Sequence, residues 1–336
     1  VFDVYEGWCE ALTELGQDVY RFNLDDRLAF YDHALIDIGE ELPDGRLKLR
    51  KALDADGVYE LALNGLAAAL WKIRPDYLLI ISGFFVPHDM LDHARRQGTR
   101  IVVVHTEQPY ELERELALAT HADANLINDP THIEKFRAVA PTWYCPHAYR
   151  PGLHKPGEPD PKLAADLAFV GTGFGSRRWF FEHMDLKGLD VLLAGNWNGV
   201  TENSPLWQYL ASGDPEKCVD NAETVRIYQS AKVGINLYRR EADDDQVVGG
   251  WSISPREIEM AACGLFFLRD PRPEGDHLLH MLPVFSSPEE ATWLLRYWLD
   301  KPEERHKAAQ QAREAVADRT FTAHAKHLLR LLETKE

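Results

Sequence analysis

The chain has 336 residues, 45% hydrophobic and 27% charged, with a formal net charge of -17 at pH 7. That is a globular balance, long enough for two domains that each bury a core, and its acidity argues against a broad nucleic-acid footprint. Cys9, Cys145, Cys218 and Cys263 form no CxxC pair, which points away from zinc sites and disulfide frameworks and toward a reducing, cytoplasmic setting. No apolar run is long enough to span a bilayer, and no secretory signal is visible.

The sequence opens at Val1, inside a helical pattern, as a chain trimmed at its native N-terminus would. Residues 4–15 carry apolar side chains at helical spacing up to Gly16, and QDVYRFNL (17–24) predicts a strand. Residues 57–73 form an Ala/Leu-rich helix stopped by Pro75, and DYLLIISG is the continuous apolar run of a parallel strand. A helix over 88–97 closes at Gly98, then RIVVVHTEQP (strand), ELERELALATHA (helix), ANLIND (strand) and THIEKFRAVA (helix) follow. This alternation predicts a doubly wound α/β domain over residues 1–150.

The Pro-, Gly- and His-rich stretch 141–161 reads as an interdomain linker. A second α/β series over 151–310 begins with DLAFVGTG (strand), RRWFFEHMD (helix) and LDVLLAGNW (strand). AETVRIYQSA (helix), KVGINLY (strand), the SPREIEMAACG helix and the strand LFFLRD complete it. The tail from 288 to 332 is helical and amphipathic, and its last part, 311–336, is expected to pack back toward the first domain. Two such domains leave a cleft between the carboxyl ends of their sheets, where ligands of open α/β sheets bind.

The chemistry concentrates in WSISPREIEMAACGLFFLRD (251–270). Ser254 at N-cap, Pro255 at N1 and Glu257 at N3 make a capping box with a proline start, so Glu257 reads as structural. The N–H groups of Ser252, Ile253, Ser254 and Arg256 are expected to be free at this helix start, where phosphate or a sugar hydroxyl can bind. Arg256 adds a charge and a bidentate fork for a diphosphate. Glu259, one turn further on, can accept hydrogen bonds from two ribose hydroxyls.

EMAACGLFFL resembles the E-A-M-A-C-G-x-P-V-V segment of retaining GT-B glycosyltransferases, and the fuller pattern over about 166–332 resembles their CgeB-like, group 1 branch. The resemblance implies two Rossmann-like domains facing a cleft, a nucleotide-sugar donor and Glu259 as its ribose-binding residue. It also implies transfer with retention and no metal or cofactor. Related families place another Glu eight positions before Glu259, where this chain has Trp251.

Supporting positions follow. FVGTGFGSRR sets Gly171, Thr172 and Gly173 after a strand, where small residues allow close approach of a diphosphate. Arg177 or Arg178 is a candidate to neutralise the leaving group, with one of the two facing solvent. Asn196 sits in a turn near the nucleotide, with Trp197 read as core. Tyr228 reads either as a neighbour of the base or as core, Lys232 lies near the same ligand, and Asn236 closes a strand at the cleft. Asp243, Asp244 and Asp245 read as a solvated loop. In the first domain His105 and Glu107 end a strand with Thr106. His105 is a candidate to hold the transferred sugar and Glu107 to orient or deprotonate the acceptor. Residues 82–89 are placed near the acceptor, and His147 reads as a structural hinge residue.

The function expected is sugar transfer to a hydroxyl of a protein, glycan or small molecule, with DNA a poorer acceptor for so acidic a chain. A nucleotide-sugar epimerase and a catalytically silent binding protein on the same scaffold stay open as alternatives, the second because of Trp251.

Overall fold

The computed structural model describes residues 2–34, 36–51, 53–240 and 249–333; Asp243, Asp244 and Asp245 lie outside them. Helix α1 (Phe2–Glu14) is followed not by a strand but by an irregular stretch over 17–23, and α2 (Leu24–Ala34) starts where the expected strand was to end. A strand needs a ladder partner, and QDVYRFNL pairs with none of the three sheets. An antiparallel hairpin, β1 (Ile36–Glu41) and β2 (Leu47–Lys51), precedes α3 (Ala55–Ile73). The carboxylate of Asp54 caps α3 by accepting the Gly57 N–H at 2.9 Å, and Arg74, in the left-handed region, ends it before Pro75.

The first parallel sheet contains β3 (Tyr77–Ile81), β4 (Arg100–His105), β5 (Ala124–Ile127) and β6 (Thr142–Tyr144), in that order across the sheet. Helices α4 (His88–Arg96), α5 (Leu112–Ala119) and α6 (Ile133–Arg137) connect them. Strand β4 shows why it is buried on both faces. Ile101 and Val103 pack into one cluster with Ile80 and Leu91, while Val102 and Val104 pack into another with Trp8 and Phe321. The linker expected over 141–161 loses its first residues to the sheet: Thr142, Trp143 and Tyr144 pair with Asn125, Leu126 and Ile127. An open strand edge on β5 outweighs the local Pro signal.

The second parallel sheet has the order β10-β9-β7-β8. It is built from β7 (Ala165–Val170), α7 (Gly175–His183), β8 (Val191–Ala194), α8 (Asn221–Ser230), β9 (Ala231–Asn236), α9 (Pro255–Cys263) and β10 (Phe267–Arg269). Sheet order changes direction at β7, which puts a topological switch point at the end of that strand, the usual ligand crevice of open α/β sheets. Helices α10 (Pro273–Leu278), α11 (Pro288–Leu299) and α12 (Pro302–Ala315) follow, with Ala308, Ala309 and Ala312 buried in the second core. The crossing back is made by α13 (Phe321–Glu333), whose Phe321, Ala325, Leu328 and Leu332 pack with Trp8 and Ala11 of α1. Gly7 lets the two helices approach, since a Cβ there would stand 2.2 Å from Phe321 Cδ2.

Buried polar bonds tie the halves together. The Glu274 carboxylate, 2% exposed, accepts from Tyr144 Oη (2.9 Å), Arg319 Nη2 (2.6 Å) and the Ile253 N–H (2.9 Å). Asp129 Oδ2 accepts the N–H groups of Trp251 (2.8 Å) and Ser252 (2.9 Å). Removing one partner of such a set leaves the others desolvated and unpaired, at about 3 kcal/mol or more. Glu274→Ala is therefore expected to lower the free energy of unfolding by about 3 kcal/mol in urea denaturation. A loss below about 1 kcal/mol would contradict this assignment.

Candidate functional site

The carboxyl ends of the two sheets enclose a cavity of about 360 Å³. Its second-sheet wall is formed by Gly171 and Thr172 after β7, Gly195 and Asn196 after β8, Tyr228 of α8, and Arg256 and Glu259 of α9. Its first-sheet wall is formed by His105, Thr106 and Asn128, with Cys145 to Ala148 between the domains and Asp3, Phe321 and His324 from α1 and α13. The structure thus brings together Gly171, Thr172, Asn196, Tyr228, Arg256, Glu259 and His105 from the sequence-predicted set.

Arg256 and Glu259 are three apart on α9 and share one face. The Arg256 guanidinium lies over Gly171, where a Cβ would come within 3.1 Å of its Nε and Nη2. Gly195, at φ +106°, is forced by backbone: a Cβ there would lie 2.6 Å from the Gly171 carbonyl oxygen. Among the described residues neither Arg256 nor Glu259 makes a hydrogen bond or ion pair, so both present their full bonding capacity to the cavity. Burial, and then the charge of Asp3, push the Glu259 carboxyl up to about 7, with Arg256 opposing. Tyr228, 2% exposed, lends its ring to the wall, and burial raises its hydroxyl well above the usual range.

Several expected ligand groups are spent on the protein itself. The N–H groups of Ser252, Ile253 and Ser254 donate to Asp129 (2.9 Å), Glu274 (2.9 Å) and Glu257 (3.0 Å). A helix start attracts anions, and here three carboxylates of the chain already fill that role, which removes these three residues from the donor site. Asn236, fully buried, donates to Glu257 Oε2 (3.1 Å) and accepts from Ser254 Oγ (3.2 Å), bracing the helix start instead of facing the cleft. Arg177 is 4% exposed and donates to the carbonyls of Leu237 (2.6 and 3.1 Å) and Thr172 (2.9 Å). Arg178 donates to the carbonyls of Gly173 (2.8 Å) and Asn198 (2.9 Å). Neither arginine lines the cavity: both clamp loop carbonyls that have no strand partner. Gly173 is packed against Trp197, whose Cε3 would stand 2.4 Å from a Cβ, so its smallness serves the core. Lys232 pairs with Asp166 at 2.7 Å, away from the cavity.

On the first-sheet side, His105 reaches the wall but its ring nitrogens face inward. Nε2 donates to Asn125 Oδ1 (2.8 Å), Nδ1 lies 3.9 Å from Glu115 Oε1, and burial pushes the imidazole down to about 4, so it is neutral at pH 7. Nε2 is therefore spent on Asn125, while Nδ1 is buried beside Glu115 without a hydrogen-bond partner. Glu107 is not part of the cavity wall: its N–H donates to Glu115 (3.0 Å) and its carboxylate accepts from Thr106 Oγ1 (3.3 Å). Residues not singled out from the sequence also line the cavity. Asn128 Nδ2 donates to His147 Nε2 (3.0 Å), which leaves Asn128 Oδ1 buried and unpartnered, as is His324 Nε2. Asn128 is the next-to-last residue of the ANLIND segment, just past the end of β5, and that strand-end position is the signal the sequence offered. Trp251, in place of the second Glu, stands edge-on to Tyr144 at 5.9 Å and wedges the domains together.

Among the described residues one group could hold a metal: Asp3, His154 and Glu259 bring ligand atoms within 4.8 Å of one another. His154 Nδ1 accepts the Arg150 N–H (3.2 Å), which leaves the proton on Nε2. That tautomer makes the group one donor beside two acceptors, a poorer cation cage than its residue types imply.

Glu257 provides a test of the capped helix start. Burial raises its carboxyl to about 7 from 4.5, so the folded chain holds this proton more tightly than the unfolded one. Its contribution to stability is complete below about pH 4.5 and is lost as pH rises to about 7. Glu257→Gln, neutral throughout, is expected to flatten the fall of the urea midpoint between about pH 5 and 7. An equally steep fall in the variant would show that Glu257 titrates normally.

Residues 177–330 match the family model described as glycosyl transferase-like. The chain is 23% identical over 278 residues to spore protein CgeB of Bacillus subtilis (strain 168), covering 78% of this chain and 86% of that one. Sucrose-phosphate synthase from Thermosynechococcus elongatus superposes with a TM-score of 0.60 at 14% identity, over 98% of this chain and 92% of that one. A structure described as trehalose-6-phosphate from E. coli bound with UDP-2-fluoro glucose superposes with a TM-score of 0.58 at 13% identity, over 83% and 78%. No helix among the described residues is long and apolar enough to cross a membrane. With two facing parallel α/β sheets and these likenesses, the protein has the GT-B fold, and its residues 177–330 are glycosyl transferase-like.

Proposed function

We propose that the cavity binds a nucleotide-diphosphate sugar and that the enzyme transfers the sugar, with retention, to an acceptor hydroxyl. The observation that carries this reading is the pair Arg256 and Glu259, unpaired side chains of opposite charge on one face of α9 in one cavity. Arg256, lying over the Gly171 backbone, meets the diphosphate as a fork. Glu259, a turn further on, meets the ribose. Gly171 and Thr172 allow close approach of the phosphates, and Asn196 and Tyr228 complete the donor wall. The bound structure named above, which carries a UDP sugar, supports a donor of this class.

The first-sheet wall offers His105, Thr106, Asn128 and His147, of which burial keeps both histidines down to about 4 and therefore neutral. None of these four side chains is an anionic base, and the cavity's remaining carboxylate, Asp3, is held by Arg150 and Asn221, which supports attack from the face of the departing nucleotide. The bond from the sugar's anomeric carbon to the phosphate oxygen breaks, the bond to the acceptor oxygen forms, and the acceptor proton passes to the phosphate. Arg256 stabilises the charge that develops on the diphosphate, and no metal or cofactor is invoked. With a net charge of -17, a protein, glycan or small-molecule acceptor suits the enzyme better than DNA.

Thermal denaturation in the presence of UDP-, GDP-, ADP- and dTDP-sugars tests the reading. One donor is expected to raise the melting temperature, a saturating ligand adding about 3 kcal/mol at a hundred times its Kd. Arg256→Met and Glu259→Ala are each expected to weaken that donor about 10- to 100-fold, the worth of a charge-assisted hydrogen bond. No shift with any donor, or unchanged affinity in both variants, would overturn the proposal.

A further inference from the structure

The cavity contains a second carboxylate beside Glu259 that comes from the other end of the chain. Asp3, on the first turn of α1, lines the same cavity, and its carboxylate lies with those of Glu259 and a ring nitrogen of His154 within 4.8 Å of one another. Asp3 is held firmly: Oδ1 accepts both Arg150 Nη1 (3.1 Å) and Asn221 Nδ2 (3.0 Å). Arg150 is in turn anchored by Glu10, whose two oxygens accept Nε (2.9 Å) and Nη2 (2.5 Å). Both donors to Asp3 use one oxygen, so Oδ2 has no partner among the described residues, and Glu259 has none on either oxygen.

Two fixed carboxylates with empty acceptor positions, with a ring nitrogen of His154 beside them, are an unusual arrangement for a buried site. Like charges this close repel, and Asp3 contributes to holding the Glu259 carboxyl up. A cation would relieve the repulsion, but the protonated Nε2 of His154 and the guanidinium of Arg150 already supply positive ends around Asp3. A ligand with two adjacent O–H donors satisfies the arrangement without a further charge.

We infer that Asp3 and Glu259 form a two-carboxylate clamp for the vicinal hydroxyls of the donor's ribose, so that Asp3 makes the site selective for ribonucleotides over deoxyribonucleotides. This rests on the nucleotide-sugar reading of the cavity. Each carboxylate accepts one hydroxyl proton, with Glu259 placed by α9 and Asp3 by the α1–Arg150–Asn221 bonds. A deoxyribose leaves one buried carboxylate oxygen dry and unpaired, the kind of mismatch that a polar pocket rejects strongly.

Calorimetric titration of UDP, GDP and ADP and of their 2′-deoxy counterparts, in the presence of EDTA, tests the clamp. The wild-type chain is expected to prefer one ribonucleotide over its deoxy form by about 10-fold or more. Asp3→Ala is expected to collapse that preference to about 2-fold or less, and Asp3→Asn, which keeps a carbonyl for Arg150 and Asn221, to reduce it less. Glu10→Gln loosens the Arg150 brace that places Asp3 and is expected to lower the preference in part, less than Asp3→Ala does. A ratio that survives in Asp3→Ala, while Glu259→Ala still loses binding, overturns the role of Asp3 and leaves the donor reading standing. Binding that disappears in EDTA and returns with Mn²⁺ identifies a cation site in place of the clamp. No binding of any nucleotide sinks the donor reading and the clamp together.

Discussion

Three carboxylates from three segments converge on the start of α9, and the rest of the architecture depends on them. Asp129 from the end of the first sheet, Glu257 from within the helix and Glu274 from α10 take the N–H groups of Ser252, Ile253 and Ser254. Buried backbone donors must be paired, and in this chain the pairing also joins the domains. Glu274 reaches Tyr144 and Arg319 as well, so one carboxylate sets the second sheet against the first and against the entry to α13. The two halves are thereby joined at the start of α9 by buried hydrogen bonds.

That closure decides what α9 can offer a ligand. With its terminal N–H groups committed, the helix presents side chains, and those on its open face are Arg256 and Glu259. The separation of tasks is electrostatic. One carboxylate, Glu257, is buried, bonded and structural; the other, Glu259, is unbonded and faces the cavity. The opposing wall carries neutral imidazoles, and among the described residues Arg256 is the arginine that lines the cavity, with no lysine beside it. A protein of strong overall negative charge thereby keeps one local cationic position in its cavity.

The differences between expectation and structure share a cause. QDVYRFNL has the composition of a strand and finds no partner, whereas Thr142 to Tyr144 lie in a Pro-rich stretch and become β6 because β5 has an open edge. Arg177, Arg178 and Asn236 have the chemistry of ligand-binding residues and stand close in sequence to the cleft loops. Each instead satisfies a backbone or carboxylate group that folding would have left dry. Asp3 shows the opposite case. It stands some 250 positions from Glu259 with no motif around it, and only the packing of α1 on α13, permitted by Gly7, brings it to the same pocket.

The sequence by itself determined the α/β alternation, the capped start of α9 at Ser254 and Pro255, and the place of Arg256 and Glu259 on one face of that helix. These are local properties: hydrophobic period, cap chemistry and spacing along one helix turn are written within a dozen residues. Tertiary structure alone decided which polar groups remain available. Whether a side chain faces a ligand or a buried carbonyl depends on what the rest of the chain leaves unsatisfied, and hydrogen-bond satisfaction is a property of the whole fold. Asp129 and Glu274 closed the helix start to ligands, and Asp3 joined Glu259, because contacts distant in sequence settled where each donor and acceptor was spent.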